Sequence, residues 1–439
     1  MRLLIHTLRL NKFSHESDDT MTASLTETSQ TLASSNTRIK VLDFYRGIWV
    51  MFMPAMHFFY FYGESNFTET VIGSSFELLT LWTTAAIYLS SLLILLTPNA
   101  TGAQHIQRIL FLFFGGYALI LGCVHVLGVQ LGITHEIVIG SVCCFIFLMG
   151  IFIGLAGNKS LSLSIKRGAM LFLAGYALNF FRSSLPMWLS LEVGLINDED
   201  LGIDNPLREF LVVDILQFAG IAFIVCSLLR HYLPGPQYWL LIALAITFTS
   251  PYVWDVDSDN FVVNELLRLL AGNVSEGTFF PQLPWLAYAI SGMAFGHWLK
   301  QADDLNEFLR KSVPYSLVTI AIGVGIILTD TNYHIGESMR PGPGAVIAFG
   351  GFTVLSIFLF QSIVVKVPHN AVFNFWYTWS KHITTIYVVH WLIIGWGLMY
   401  FGFRTLNGVE YLVILFALYI LTHFLSTGRI KFKPNLKTQ

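Results

Sequence analysis

Twelve runs of about 20 mostly apolar residues recur along this chain, each long enough to cross ~30 Å of hydrocarbon as a helix. They centre near Met53, Ala86, Tyr117, Phe147, Ala174, Ile221, Ala243, Ile290, Ile320, Val354, His390 and Phe416. Composition supports the same class: 54% of the 439 residues are hydrophobic and 12% are charged, about half the charged share of a soluble domain. The expected fold is all-α, a polytopic integral membrane helical bundle of about 11–12 transmembrane helices. Eleven applies if the pair near Ala86 and Tyr117 is misread.

Residues 1–37 are Ser- and Thr-rich without periodicity and read as a disordered N-terminal tail. They contain no apolar core of signal-peptide type, and Met21 is a second plausible start. The bundle occupies 38–428, and 429–439 forms a basic tail. Cys123, Cys143, Cys144 and Cys226 lie in apolar runs without zinc-site spacing, so they read as small hydrophobes and no metal site is expected. A net charge of −2 gives no sign of a nucleic-acid partner.

Basic residues set the orientation. With the N-terminus inside, cytoplasmic segments carry most of the Lys and Arg after the tail. The outer segments hold only Arg182, Arg208, Arg268, Arg340 and Arg404. Both termini are therefore expected in the cytoplasm. The outer loops at about 182–210 and 252–282 are acidic and include an amphipathic stretch, Asn264–Ala271. They read as partly ordered caps over the outer face.

The first span is the most informative segment. Arg46 and His57 stand eleven residues apart, ~16 Å along a helix and close to three turns, so both point toward one face. This places a cation near the cytoplasmic surface and an imidazole near mid-membrane, where an ionisable side chain is expensive and suggests function. A His bonded between helices and an Arg snorkelling to lipid phosphate are the structural alternatives. Pro54 should kink this helix, and Asp43 lies one turn from Arg46. An active site would need a continuous polar pocket linking Arg46 and His57.

Arg38, Asp43, Arg46, Gly47 and His57 resemble the opening of the transmembrane acyltransferase superfamily, which includes acyltransferase family 3 and the heparan-glucosaminide N-acetyltransferase-like family. Later stretches are similar to its landmarks in the same order. These are Phe145 to Gly154, Lys166-Arg167-Gly168, Asp214 to Gln217, Phe280 to Trp285 with Gly292 and Gly296, and Tyr387 to His390. The hydrophobic pair near Ala86 and Tyr117 is an extra insertion relative to that pattern.

The resemblance implies acyl transfer, most simply of an acetyl group, from cytoplasmic acyl-CoA to a sugar hydroxyl or amine of an extracytoplasmic glycan. Under it, His57 is the general base and Arg46 a catalytic partner, while Arg46, Lys166 and Arg167 hold the CoA phosphates. Asp214, Gln217, Trp285 and His390 contact the acceptor. Each has a structural alternative: inner-loop anchors for Lys166 and Arg167, helix linkage for Asp214, Gln217 and His390, and an interfacial ring for Trp285. Gly292 and Gly296 read as close helix packing. An acyl-His57 intermediate is left open.

Membrane lipids and a glycan acceptor are the expected partners, with homo-oligomerisation left open. The expected location is a bacterial inner membrane. No Walker loop, GxSxG elbow or HExxH occurs in the chain. Asn66 and Asn273 open formal glycosylation sequons. A secondary transporter or flippase is the rival class, because about a dozen spans with both ends inside would also suit it.

Overall fold

The computed structural model describes residues 39–62, 133–156, 160–195, 205–233, 235–272, 278–336, 339–366, 371–403, 405–406 and 408–428. The spans expected near Ala86 and Tyr117, both tails, Arg38, Arg404 and the two sequons lie outside the described residues.

Helices dominate, as the apolar runs require. In chain order they are α1 (Lys40–Tyr62), α2 (Ile133–Leu155), α3 (Leu161–Asn179), α4 (Leu185–Glu192), α5 (Pro206–Phe210), α6 (Ile215–Tyr232), α7 (Pro236–Thr249) and α8 (Phe261–Leu270). There follow α9 (Gln282–Lys300), α10 (Leu305–Ile327), α11 (Thr331–Ile335), α12 (Pro343–Lys366), α13 (Ala371–Lys381), α14 (Ile383–Phe401) and α15 (Gly408–Ser426). The other ten expected centres each fall within one of these helices. Among the described residues, α6, α10, α12 and α14 are long and apolar enough to cross a membrane. The molecule is an all-α membrane protein.

Helix starts follow local chemistry. The side chains of Ser160, Asn205, Asn260, Asp304 and Asp330 accept backbone N–H groups of the first turns of α3, α5, α8, α10 and α11, which leaves fewer orphan donors in an apolar setting. Pro206 and Pro236 open α5 and α7, where a missing N–H costs nothing. Gly402, at φ +78°, stops α14. Pro54 lies inside α1, which stays helical through it.

The centre of the bundle is a glycine seam between α2 and α9. A Cβ at Gly150 would stand 2.1 Å from the Ala289 carbonyl oxygen, and one at Gly154 2.3 Å from that of Met293. Reciprocally, a Cβ at Gly292 would stand 2.1 Å from the Phe147 oxygen and one at Gly296 2.3 Å from that of Ile151. Small residues four apart on both helices thus bring the backbones together, as association within lipid demands. This is the packing role expected for Gly292 and Gly296.

A second close crossing joins α3 and α6, where Gly168 and Gly220 face each other and Gly175 abuts Gln217. The side chain of Asn179, at the end of α3, donates to the carbonyls of Phe210 and Val212. It thereby fixes the approach to α6.

The expected caps contain ordered helices. The first loop carries α4 and α5, and the second carries α8, which covers most of the stretch expected to be amphipathic. Arg340 ties the second loop down by donating to the carbonyls of Trp254 and Gly272.

Candidate active site

The end of α3 gives way to a π-helical turn, Phe180–Ser184, before α4 begins. Such turns insert one residue into the helical register and are frequent at functional sites. Here the turn carries Arg182, 4% exposed, into the interior. Gly395 on α14 makes room for it, since a Cβ there would collide with the Arg182 carbonyl.

Arg182 Nη1 lies 2.7 Å from Asp214 Oδ2, and its guanidinium sits 3.9 Å over the Trp391 ring. Asp214 is buried too, and its carboxylate is heavily used. Oδ1 accepts the Ile215 N–H at 2.7 Å, and Oδ2 accepts the Tyr387 hydroxyl at 2.8 Å. Gln217 completes a capping box around the first turn of α6: Oε1 accepts the Asp214 N–H, and Nε2 donates to the Val212 carbonyl.

Next to this network, α1 meets α14. His57 Nδ1 lies 2.8 Å from His390 Nε2. The two rings are within 7° of parallel with centroids 5.1 Å apart, the geometry of an in-plane N–H···N bond rather than a face-to-face stack. His390 Nδ1 lies 2.7 Å from the Ile386 carbonyl oxygen. A carbonyl only accepts, so His390 Nδ1 carries a proton and its Nε2, in the neutral ring, has a lone pair. His57 must then donate through Nδ1, which leaves its Nε2 as a bare lone pair. His57 also stacks on Trp391 at 4.2 Å and lies edge-on to Tyr387 at 6.4 Å. Both His57 and Arg182 therefore rest against Trp391.

Arg46 stands apart from this cluster. Its Nε donates to Ser380 Oγ at 2.9 Å, its Nη2 to Asp43 Oδ1 at 2.8 Å, and its guanidinium lies over Phe152. Arg46 meets Ser380 and His57 meets His390, so one face of α1 runs alongside the α13–α14 segment, as the eleven-residue spacing requires. Between the two contacts lie Val50, Trp379 and Ile386, which form a buried apolar cluster. Among the described residues, this layer packs between the Arg46 and His57 contacts. The spacing that aligns two polar residues on a helix also places the apolar residue Val50 between them.

Lys166 and Arg167 are exposed on α3, and none of the described contacts joins them to Arg46. Trp285 is fully buried. Its Nε1 donates to the Met339 carbonyl, and its ring packs between Phe280 and Tyr288, so neither face is open to a sugar. A cavity of about 730 Å³ lies at the opposite end of α6 from Asp214, with Arg230, Trp239, His297 and Lys300 among its lining residues. None of His57, His390 or Arg46 lines it.

Residues 124–325 match the sequence model of the family described as heparan-alpha-glucosaminide N-acetyltransferase, catalytic. That stretch is heparan-glucosaminide N-acetyltransferase-like. It bears out the superfamily resemblance, and the long apolar helices α6, α10, α12 and α14 support an integral membrane location. The acetyltransferase-like stretch includes Arg182, Asp214, Gln217 and Trp285, whereas α1 and α14, with His57 and His390, lie outside it. No curated protein and no solved structure matches the chain.

The sequence alone does not mark Arg182, Tyr387 or Trp391 as site residues. In the sequence Arg182 reads only as an outer cation, because an arginine directly following an apolar run is the ordinary position of an interfacial anchor. Tyr387 and Trp391 give no sign either in a chain this rich in aromatics.

Proposed function

We propose that the chain transfers an acyl group, most simply acetyl, from acyl-CoA to a hydroxyl or amine of a sugar on the far side of the membrane, with His57 as general base. The observation that carries this reading is the chain from the Ile386 carbonyl through His390 to His57, which fixes one tautomer and leaves His57 Nε2 able to take a proton. As the acceptor oxygen or nitrogen bonds to the thioester carbon, its proton passes to His57 Nε2 and the carbonyl π pair moves onto oxygen. When that pair returns, the carbon–sulfur bond breaks and sulfur leaves with its electrons. The imidazolium then returns the proton to sulfur, giving the CoA thiol. Throughout, His390 accepts from the charged ring.

In this reading the CoA phosphates lie at the cytoplasmic end, where Arg46, Lys166 and Arg167 supply charge-assisted hydrogen bonds. His390 positions His57, while Asp214 and Gln217 shape the acceptor side from within the α6 cap. Trp285, with both faces enclosed, takes no part. Both termini are in the cytoplasm and the membrane is a bacterial inner membrane.

The test uses purified protein, acetyl-CoA labelled on the acyl group and membrane glycans, beside a His57→Ala variant. Transfer by the parent and its loss in the variant are expected. Transfer that persists in the variant removes His57 from its role. An absence of CoA release together with substrate counterflow in vesicles would make the chain a transporter instead.

A further inference from the structure

Buried polar atoms without partners are costly, and folded chains keep few of them. Several gather around the strand-like Val212–Asp214 approach to α6. Gln282 is 3% exposed, and neither its Oε1 nor its Nε2 has a protein partner. Thr278 is fully buried with its Oγ1 unpaired. Arg182 is 4% exposed with its Nε unpaired.

Three separate parts of the chain that carry these groups meet at the Val212–Asp214 segment. Thr278 pairs with Val213 in a short parallel bridge, and the Phe279 N–H donates to the Val213 carbonyl. Gln282, four residues further along, opens α9. Arg182 reaches Asp214 from the π turn. By contrast, Asp214 and Gln217 already spend their side chains on Tyr387, on Arg182 and on the cap of α6.

We infer that Arg182, Thr278 and Gln282 form the subsite that hydrogen-bonds the hydroxyls of a sugar acceptor. This rests on the acyltransferase reading above. A free amide offers one donor side and one acceptor side, and a threonine hydroxyl does both; sugar hydroxyls likewise donate and accept. The charge of Arg182 is balanced by Asp214, so the group has no net positive charge to draw an anion. Asp214 bonds to Tyr387, whose ring lies 6.4 Å from that of His57, so a sugar ring held here is close to the base.

The probe is methyl α-glucosaminide with its 3-, 4- and 6-deoxy analogues, assayed with labelled acetyl-CoA on the full-length protein in detergent. T278V and Q282L are expected to raise the acceptor KM about tenfold and to keep the acetyl-CoA KM within about twofold. In the variant lacking its partner, removal of one particular sugar hydroxyl should carry no further penalty. T278S, which keeps the hydroxyl, should restore the acceptor KM and guards against a folding defect. Unchanged acceptor KM values with the full deoxy penalty in T278V and Q282L would overturn the subsite and leave these groups to bound water only. If the parent protein transfers nothing, the acyltransferase reading fails separately. Calorimetric binding of the same sugars then tests the subsite: binding weakened by T278V and Q282L supports it, and no binding by the parent overturns it.

Discussion

His390 accepts the Nδ1 proton of His57 because its own Nδ1 proton is committed to the Ile386 carbonyl. A residue on α14 thereby dictates which nitrogen of an α1 residue is basic. His57→Ala is expected to lower the transfer rate by about 10²–10⁴, the usual contribution of a general base. His390→Phe removes the tautomer constraint but keeps an aromatic ring, so kcat should fall about tenfold to a hundredfold with both KM values little changed. Steady-state kinetics on the two variants checks this. A His390→Phe enzyme with parental kcat would detach α14 from the chemistry.

Arg182 and Asp214 form a buried ion pair. Asp214→Asn leaves a buried guanidinium without its counter-charge and is expected to cost about 3–5 kcal/mol. Tyr387→Phe removes one hydrogen bond from the same carboxylate and should cost about 1 kcal/mol. Thermal unfolding in detergent should rank the two variants in that order.

The seam of α2 against α9 predicts a sharp contrast among glycines. Gly150→Ala and Gly292→Ala each push a methyl into a carbonyl 2.1 Å away, with an expected loss of about 1–3 kcal/mol. Gly350→Ala enters open space inside α12 and should hold or slightly raise the melting temperature. Equal behaviour of all three would mean that the two helices do not touch as described.

His334, in the turn between α10 and α12, accepts the Gly344 N–H through Nδ1. Burial lowers its pKa below the ordinary 6.5, against a smaller opposing pull from Asp330. The folded state therefore binds this proton less readily than the unfolded chain. That contribution to stability is intact above about pH 6.5 and is lost as the pH falls below it. His334→Gln should flatten the acid limb of stability, measured as melting temperature between pH 7.5 and 5.

Much of the fold was legible because lipid imposes a simple rule: long apolar runs become helices. His57 stood out for the same reason, as an ionisable group inside such a run. Its partner was less legible, because hydrogen bonding to His390 links residues 333 apart and nothing local announces it. Asp214 and Gln217 were visible as polar residues at a span end, but their spacing is also that of a capping box, and the structure uses it that way. Arg182 was hidden by its position at an apparent boundary. Only the π turn, which no composition signal marks, carries it inward. Trp285 looked like a platform beside prolines, whereas a neighbouring carbonyl and two rings enclose it.

The glycine seam also governs how this protein can open. Backbones that touch along two turns cannot slide or tilt without collision, so α2 and α9 behave as a fixed keel. Strain from admitting a bulky substrate must be taken up elsewhere. The α1–α14 contact is built from the His57–His390 bond, the Tyr62 hydroxyl on the Ile394 carbonyl and aromatic faces, side-chain contacts that can separate and re-form without a backbone clash of the α2–α9 kind. The His57–His390 pair therefore sits on the side of the bundle best able to part.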